Sequence, residues 1–165
     1  MVLLGIGANL PRPDGASPLA SCRDAVAALR ALPGYAVCAV SPWYETAPVP
    51  PSGQPPYVNG AIRLEGPAEP ERLLARLHAM EAALGRVRSV ANAARPLDLD
   101  IIAIGDLIRT NPAPVLPHPR AHLRAFVLRP LADVAPHWRH PILGQRAADL
   151  LAAVSDQPIR LLAPA

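Results

Sequence analysis

Two aspartates separated by a single leucine form the pattern in this chain with the clearest chemical meaning. Asp98 and Asp100 lie within an apolar stretch, residues 97–104. Side chains alternate between the two faces of a strand, so both carboxylates would project from one face, roughly 6.5–7 Å apart. Like charges on an apolar strand are costly without a counter-charge, and oxygen ligands with no His or Cys nearby favour Mg²⁺. The pattern predicts a magnesium site; the alternative is a solvated acidic face on an edge strand.

Arginines precede this acidic strand. Arg86, Arg88 and Arg95 lie in the connector before it, where they could neutralise phosphate oxygens beside a metal, although a solvated loop is the alternative. All sixteen basic residues of the chain are arginine. The absence of lysine excludes a P-loop lysine and Schiff-base chemistry, so a phosphate held by a side-chain cation must be held by arginine.

Two further groups could bind a ligand. His118 and Arg124 precede a helical start and could contact phosphates or a base, and Phe126 could stack on a flat ring. Asn59, on an apolar strand, could read the donor and acceptor edge of a ring. Taken singly, each is also compatible with an ordinary loop or core residue.

The elements that would position these residues follow one order. Hydrophobic periodicity, N-caps and turn residues predict strand, helix, strand, strand, helix and strand, over residues 2–7, 18–32, 35–44, 57–64, 70–84 and 97–104. That order is typical of an α+β, ferredoxin-like βαββαβ sandwich with both helices on one face of an antiparallel sheet. Helices near 125–134 and 145–154 predict a C-terminal helical extension.

Composition limits the classes of protein. The chain has 165 residues, of which 51% are hydrophobic and 18% charged, which predicts a single folded domain over residues 1–165. A net charge of +3 without a basic run argues against a nucleic-acid partner. We find neither a signal peptide nor an apolar stretch long enough to span a membrane, so we expect a cytoplasmic protein with no membrane partner. Cys22 and Cys38 are predicted to be reduced core residues.

Seven blocks of residues, spread along nearly the whole chain, together resemble the sequence pattern of a known family. In this order and spacing they resemble the 6-hydroxymethyl-7,8-dihydropterin pyrophosphokinase (HPPK) family of folate biosynthesis: residues 5–10, 41–48, 54–59, 84–88, 95–101, 116–118 and 126–131. The most specific block is Arg-Pro-Leu-Asp-Leu-Asp-Ile at 95–101.

This resemblance implies an ATP-dependent transferase, 2-amino-4-hydroxy-6-hydroxymethyldihydropteridine diphosphokinase. Its reaction would move the pyrophosphate of ATP to 6-hydroxymethyl-7,8-dihydropterin, giving the pterin diphosphate and AMP in tetrahydrofolate biosynthesis. ATP and the pterin would be its partners, and a monomer is expected.

The resemblance also implies residue roles. Asp98 and Asp100 would hold two Mg²⁺ ions and, with Arg88 and Arg95, form the catalytic group. The expected ATP contacts are Glu81, Arg86, Arg88, Arg95, Ile101, His118 and Arg124. The expected pterin pocket is Thr46, Ala47, Val49, Tyr57, Asn59 and Phe126.

The connector between Arg88 and Arg95 departs from the family pattern. It is one residue shorter and lacks the second arginine and the tryptophan found in many relatives, which predicts weaker ATP binding or faster product release. Two alternatives stay open: a non-catalytic homologue that binds pterin, and a two-metal nucleotidyl transferase acting on nucleic acid.

Overall fold

Six strands form one sheet in the computed structural model, which describes residues 1–48, 50–85 and 96–165. Every pairing between strands is antiparallel, in the order β5-β1-β4-β3-β6, and β2 also pairs with β4. The strands are β1 (Val2–Ala8), β2 (Ala36–Val40), β3 (Trp43–Thr46), β4 (Tyr57–Glu65), β5 (Asp98–Ile104) and β6 (Arg160–Ala163). The acidic strand β5 is thus an edge of the sheet.

Helices cover both faces of this sheet. They are α1 (Pro18–Arg30), α2 (Pro70–Ala83), α3 (Ala125–Val134) and α4 (Ala147–Ala152), with a 3₁₀ turn at Ala121–Leu123. Leu29 of α1 and Leu77 of α2 pack with Leu4 of β1 on one face. Leu128 of α3 and Leu150 of α4 belong to a second cluster with Leu3, the neighbour of Leu4. Because successive side chains of β1 point to opposite faces of the sheet, they contribute to two separate hydrophobic clusters.

The predicted strand over residues 35–44 is divided in the structure. Pro42, which lacks a backbone N–H, separates β2 from β3. The Ser41 hydroxyl accepts a hydrogen bond from the Ala61 N–H at 2.9 Å, and the Ser41 N–H donates to the Ala61 carbonyl at 2.9 Å. Ser41 thus keeps the chain attached to β4 across the break, and β3 continues to Thr46.

Other expectations differ from the structure in detail. The short strand β6, which the sequence did not predict, pairs with β3 beyond the C-terminal helices. Both cysteines are free as predicted, and Cys22 is buried. The predicted core position of Cys38 was wrong, because its strand β2 lies at the margin of the sheet and its side chain is exposed. None of the helices in the described residues has the length and apolar character needed to cross a membrane.

Candidate active site

A cavity of about 210 Å³ opens on the face of the sheet that carries α3. Its walls come from β1, β3, β4, β5 and the start of α3, so residues distant in sequence meet there. The predicted site residues that line it are Thr46, Ala47, Tyr57, Asn59, Asp98, Asp100, Arg124 and Phe126. Both the predicted metal ligands and most of the predicted pterin pocket therefore lie in one cavity.

The two aspartates lie beside two glycines of the neighbouring strand β1. Asp98 and Asp100 are half-buried and pair across the strands with Gly7 and Gly5, so no neighbouring side chain on β1 covers their carboxylates. A Cβ atom at Gly7 would lie 2.8 Å from Oδ1 of Asn59, a distance that the backbone and side chain could not accommodate without moving. Glycine at this position lets the Asn59 amide and the acidic strand share one floor.

A buried asparagine lies on the other side of β1 from the two aspartates. Asn59 on β4 is 5% exposed, and its Nδ2 donates a hydrogen bond to Oγ1 of Thr46 on β3. Thr46 pairs across the strands with Tyr57, which also lines the cavity. The hydrogen bond to the Thr46 hydroxyl holds the Asn59 amide in place. The result is a polar edge on the cavity wall that a hydrogen bond between two strands holds in place.

A cation and an aromatic ring enter the cavity from the start of α3. The guanidinium carbon of Arg124 lies 5.4 Å from the centroid of the Phe126 ring, a cation–π distance. Burial lowers the pKa of His118 to about 4, with a further decrease from Arg124 and a partial opposing effect from Asp98. His118 is therefore neutral at pH 7, and its Nδ1 accepts a hydrogen bond from the Arg120 N–H at 3.2 Å.

His118 itself does not line the cavity, but its backbone ties the loop before α3 to the acidic strand. The His118 N–H donates to the Ile102 carbonyl at 2.8 Å, two residues beyond Asp100. Its imidazole lies near enough to Arg124 and Asp98 for both charges to affect its pKa.

Two predicted ATP contacts lie elsewhere. Glu81 on α2 is 1% exposed and accepts a hydrogen bond from the Leu99 N–H at 2.8 Å, so it closes the outer edge of β5. Ile101 is buried in the cluster beneath α1 and α2, on the opposite face from Asp100. Their side chains do not join the cavity lined by the aspartates. Four other predicted site residues, Val49, Arg86, Arg88 and Arg95, lie outside the described residues.

Residues without a predicted role also shape the cavity. Gly5 and Gly7 line its floor, and Gln54 lines it from the proline-rich loop. Asn9, at the end of β1, donates to Oε1 of Gln54 at 3.1 Å and to the Pro55 carbonyl at 3.2 Å. A signal was present, because Gly5, Gly7, Asn9 and Gln54 all belong to the blocks that carry the family resemblance, but spacing alone did not show that they meet.

The donors at the aspartate pair fit Mg²⁺ bound together with phosphate. Asp98 and Asp100 supply hard oxygen ligands on one face of β5, and the cavity continues beside them towards Arg124. Within the described residues, no cluster of three or more His, Cys, Asp or Glu side chains could hold a metal alone. Mg²⁺ commonly binds one or two carboxylates and completes its shell with water and substrate phosphates. The pair therefore suits a metal that arrives with a polyphosphate.

Comparison with protein families and with characterised proteins gives a consistent result. The family model described as 7,8-dihydro-6-hydroxymethylpterin-pyrophosphokinase (HPPK) matches residues 3–136. The 2-amino-4-hydroxy-6-hydroxymethyldihydropteridine pyrophosphokinase of Pseudomonas aeruginosa is 39% identical over 161 residues, which are 98% of this chain and 96% of that protein. The protein of the same name from Synechocystis is 34% identical over 162 residues, covering 98% of this chain and 80% of the relative.

A solved structure supports the fold. The wild-type HPPK-DHPS protein of Plasmodium falciparum aligns with a TM-score of 0.68 at 12% sequence identity, covering 94% of this chain. At that identity the similarity concerns the fold alone. This chain spans 44% of the length of the Plasmodium protein.

Proposed function

The chain belongs to the HPPK family, and from this premise we propose that it transfers the β,γ-diphosphate of ATP to 6-hydroxymethyl-7,8-dihydropterin. The hydroxymethyl oxygen attacks the β-phosphorus, the bond from that phosphorus to the α,β-bridging oxygen breaks, and AMP leaves. The hydroxyl proton passes to solvent or to a base. The observation that carries the proposal is the meeting of Asp98 and Asp100 with the ordered Asn59 amide in one cavity.

The polar edge and the aromatic ring suit a pterin. The Asn59 amide has both a donor and an acceptor and is held by its hydrogen bond to Thr46, so it can pair with the pyrimidinone edge of the ring. Phe126 presents a flat apolar face from α3, and Tyr57 lines the same cavity from β4. Together these residues would fix the ring so that its hydroxymethyl group points towards the aspartates.

Charge complementarity suits a triphosphate at the other end of the cavity. Asp98 and Asp100 would hold two Mg²⁺ ions, which supply charge neutralisation to the phosphates when bound. Arg124 offers a forked donor set for phosphate oxygens. Arg86, Arg88 and Arg95 remain proposed phosphate contacts, and Val49 and Ala47 remain proposed pterin contacts. Most of the rate would come from positioning and from stabilising developing charge.

The finer architecture belongs to the same proposal. The order β5-β1-β4 followed by β2 and β3, with α1 and α2 packed on one face, supports a ferredoxin-like arrangement. We propose one domain over residues 1–165, with α4 and β6 as an extension of it. A monomeric state and a cytoplasmic location stay predictions.

The test is AMP formation from ATP and Mg²⁺ by the purified protein, with and without 6-hydroxymethyl-7,8-dihydropterin, beside equilibrium binding of the pterin. AMP that forms only with the pterin is the expected result. Pterin binding without AMP would favour the non-catalytic homologue. If the protein neither bound the pterin nor formed AMP, the proposal would be contradicted.

A further inference from the structure

Gln157 lies outside the part of the chain that matches the family model, which ends at residue 136. Its side chain nevertheless reaches back to the start of α3. Oε1 of Gln157 accepts a hydrogen bond from the Ala125 N–H at 2.9 Å, and its Nε2 donates to the Leu123 carbonyl at 2.9 Å. One amide thus bridges two backbone groups that flank Arg124.

The bridged segment is the part of α3 that faces the cavity. Arg124 and Phe126 both line the cavity, and Ala125 stands between them. Arg124 occupies the N-cap position of α3 and makes no side-chain cap of its own. Since the first N–H groups of a helix lack partners within it, Gln157 supplies what this helix start does not.

The turn that carries Gln157 is anchored through the neighbouring helix α4. The Gln157 backbone N–H donates to the Val154 carbonyl at 3.0 Å, in the turn that follows α4. Ala147 and Leu150 of α4 are buried in the same cluster as Leu128 and Leu131 of α3. The C-terminal extension is therefore anchored on α3, and the Gln157 amide is held at a defined place beside its first turn.

We propose that Gln157 is a positioning residue for the transfer reaction. By fixing the backbone on both sides of Arg124, it directs that guanidinium towards the phosphates and presents the Phe126 ring to the pterin. The role rests on the proposed function of the cavity. If Gln157 has this role, the segment beyond residue 136, where the match to the family model ends, contributes to the function of the site.

Three variants separate positioning from helix stability. Gln157→Ala removes both bonds, and Gln157→Glu keeps an acceptor for the Ala125 N–H but has no donor for the Leu123 carbonyl. Ser17→Ala is the matched control, because the Ser17 hydroxyl accepts from the Ala20 N–H at 3.1 Å and caps α1, which contributes no residue to the cavity. The measurements are KM and kcat for both substrates, the melting temperature, and NMR hydrogen exchange of the Ala125 amide without ligands.

We expect Gln157→Ala to raise KM for ATP and for the pterin about tenfold and to speed exchange at Ala125. The KM values and the Ala125 exchange rate of Gln157→Glu should lie between those of Gln157→Ala and the wild type. Ser17→Ala should lower the melting temperature without changing KM. The inference would be overturned if Gln157→Ala had unchanged KM values and a melting temperature lowered as much as that of Ser17→Ala. An unchanged hydrogen-exchange rate at the Ala125 amide would also overturn it. A wild type that forms no AMP would refute the proposed function instead, and the exchange measurement would still decide whether Gln157 holds this segment.

Discussion

The Asn59 amide nitrogen donates a hydrogen bond to the Thr46 hydroxyl across the β3–β4 pair, at the buried wall of the cavity. This bond holds the amide in place, and an asparagine amide carries both a donor and an acceptor with which a ring edge can pair. Asn59→Ala should therefore weaken pterin binding by about 1–3 kcal/mol, since the ring edge loses its partner in a buried place. Isothermal titration with the pterin and with an ATP analogue measures the effect, and ATP affinity should stay near the wild-type value. Loss of both affinities alike would indicate general damage to the fold.

Gly7 and Gly5 offer a matched pair of substitutions on the floor of the cavity. A Cβ atom at Gly7 would come to 2.8 Å from Oδ1 of Asn59, whereas one at Gly5 would lie 3.3 Å from Cδ1 of Ile102, a side-chain end that can shift. Gly7→Ala should thus lower pterin affinity at least about tenfold by displacing the Asn59 amide, and Gly5→Ala should lower it less. Pterin titration of both variants checks this order. Equal losses would mean that the Asn59 orientation is not what Gly7 protects.

The aspartate pair should separate turnover from pterin binding. Asp98→Asn and Asp100→Asn keep the side-chain volume but remove the charge that would hold Mg²⁺, so AMP formation should fall by at least about 100-fold. Pterin affinity should change little, because Asn59, Thr46 and Phe126 lie on other elements. Asp106→Asn is the control, since Asp106 is exposed just beyond the same strand. Full turnover in either active-site variant would remove the metal assignment.

Local periodicity predicted some of this site and could not predict the rest. The shared face of Asp98 and Asp100 followed from the alternation of a strand, which does not depend on what the strand packs against. The burial of Glu81 against the Leu99 N–H depends on how α2 packs along β5. The spacing of residues along the sequence does not determine how two such elements pack. The Gln157 bridge depends likewise on the docking of α4 against α3. Contacts between elements were therefore accessible through the family resemblance or not at all.

The two cysteines should differ sharply in reactivity. Burial raises the pKa of the Cys22 thiol to about 12, so it carries almost no thiolate at pH 8, whereas Cys38 is exposed. Titration with Ellman's reagent should count one reactive thiol in the native protein and two after denaturation. Cys38→Ser should abolish the native signal. Rapid labelling of native Cys38→Ser would show that the environment of Cys22 opens readily.

Neutral His118 should make the metal-free fold sensitive to acid. Its pKa is lowered from 6.5 to about 4 by burial, then by Arg124, against a smaller opposing effect of Asp98 and with a further decrease from Arg120. As the pH falls below 6.5, the unfolded chain takes up a proton at His118 that the folded protein does not, so the free energy of unfolding decreases until about pH 4. At about 1.4 kcal/mol per pKa unit, the loss amounts to about 3 kcal/mol at most.

His118→Asn removes this titration, and its Oδ1 can still accept from the Arg120 N–H. Urea unfolding in EDTA at pH 7, 5.5 and 4.5 should show the wild type losing stability relative to the variant as the pH decreases. Other groups that titrate in this range, such as His140, are present in both proteins and cancel in the difference. A constant difference across these pH values would mean that His118 takes up its proton equally in both states, and that the region around Arg124 is more open to water than the structure indicates.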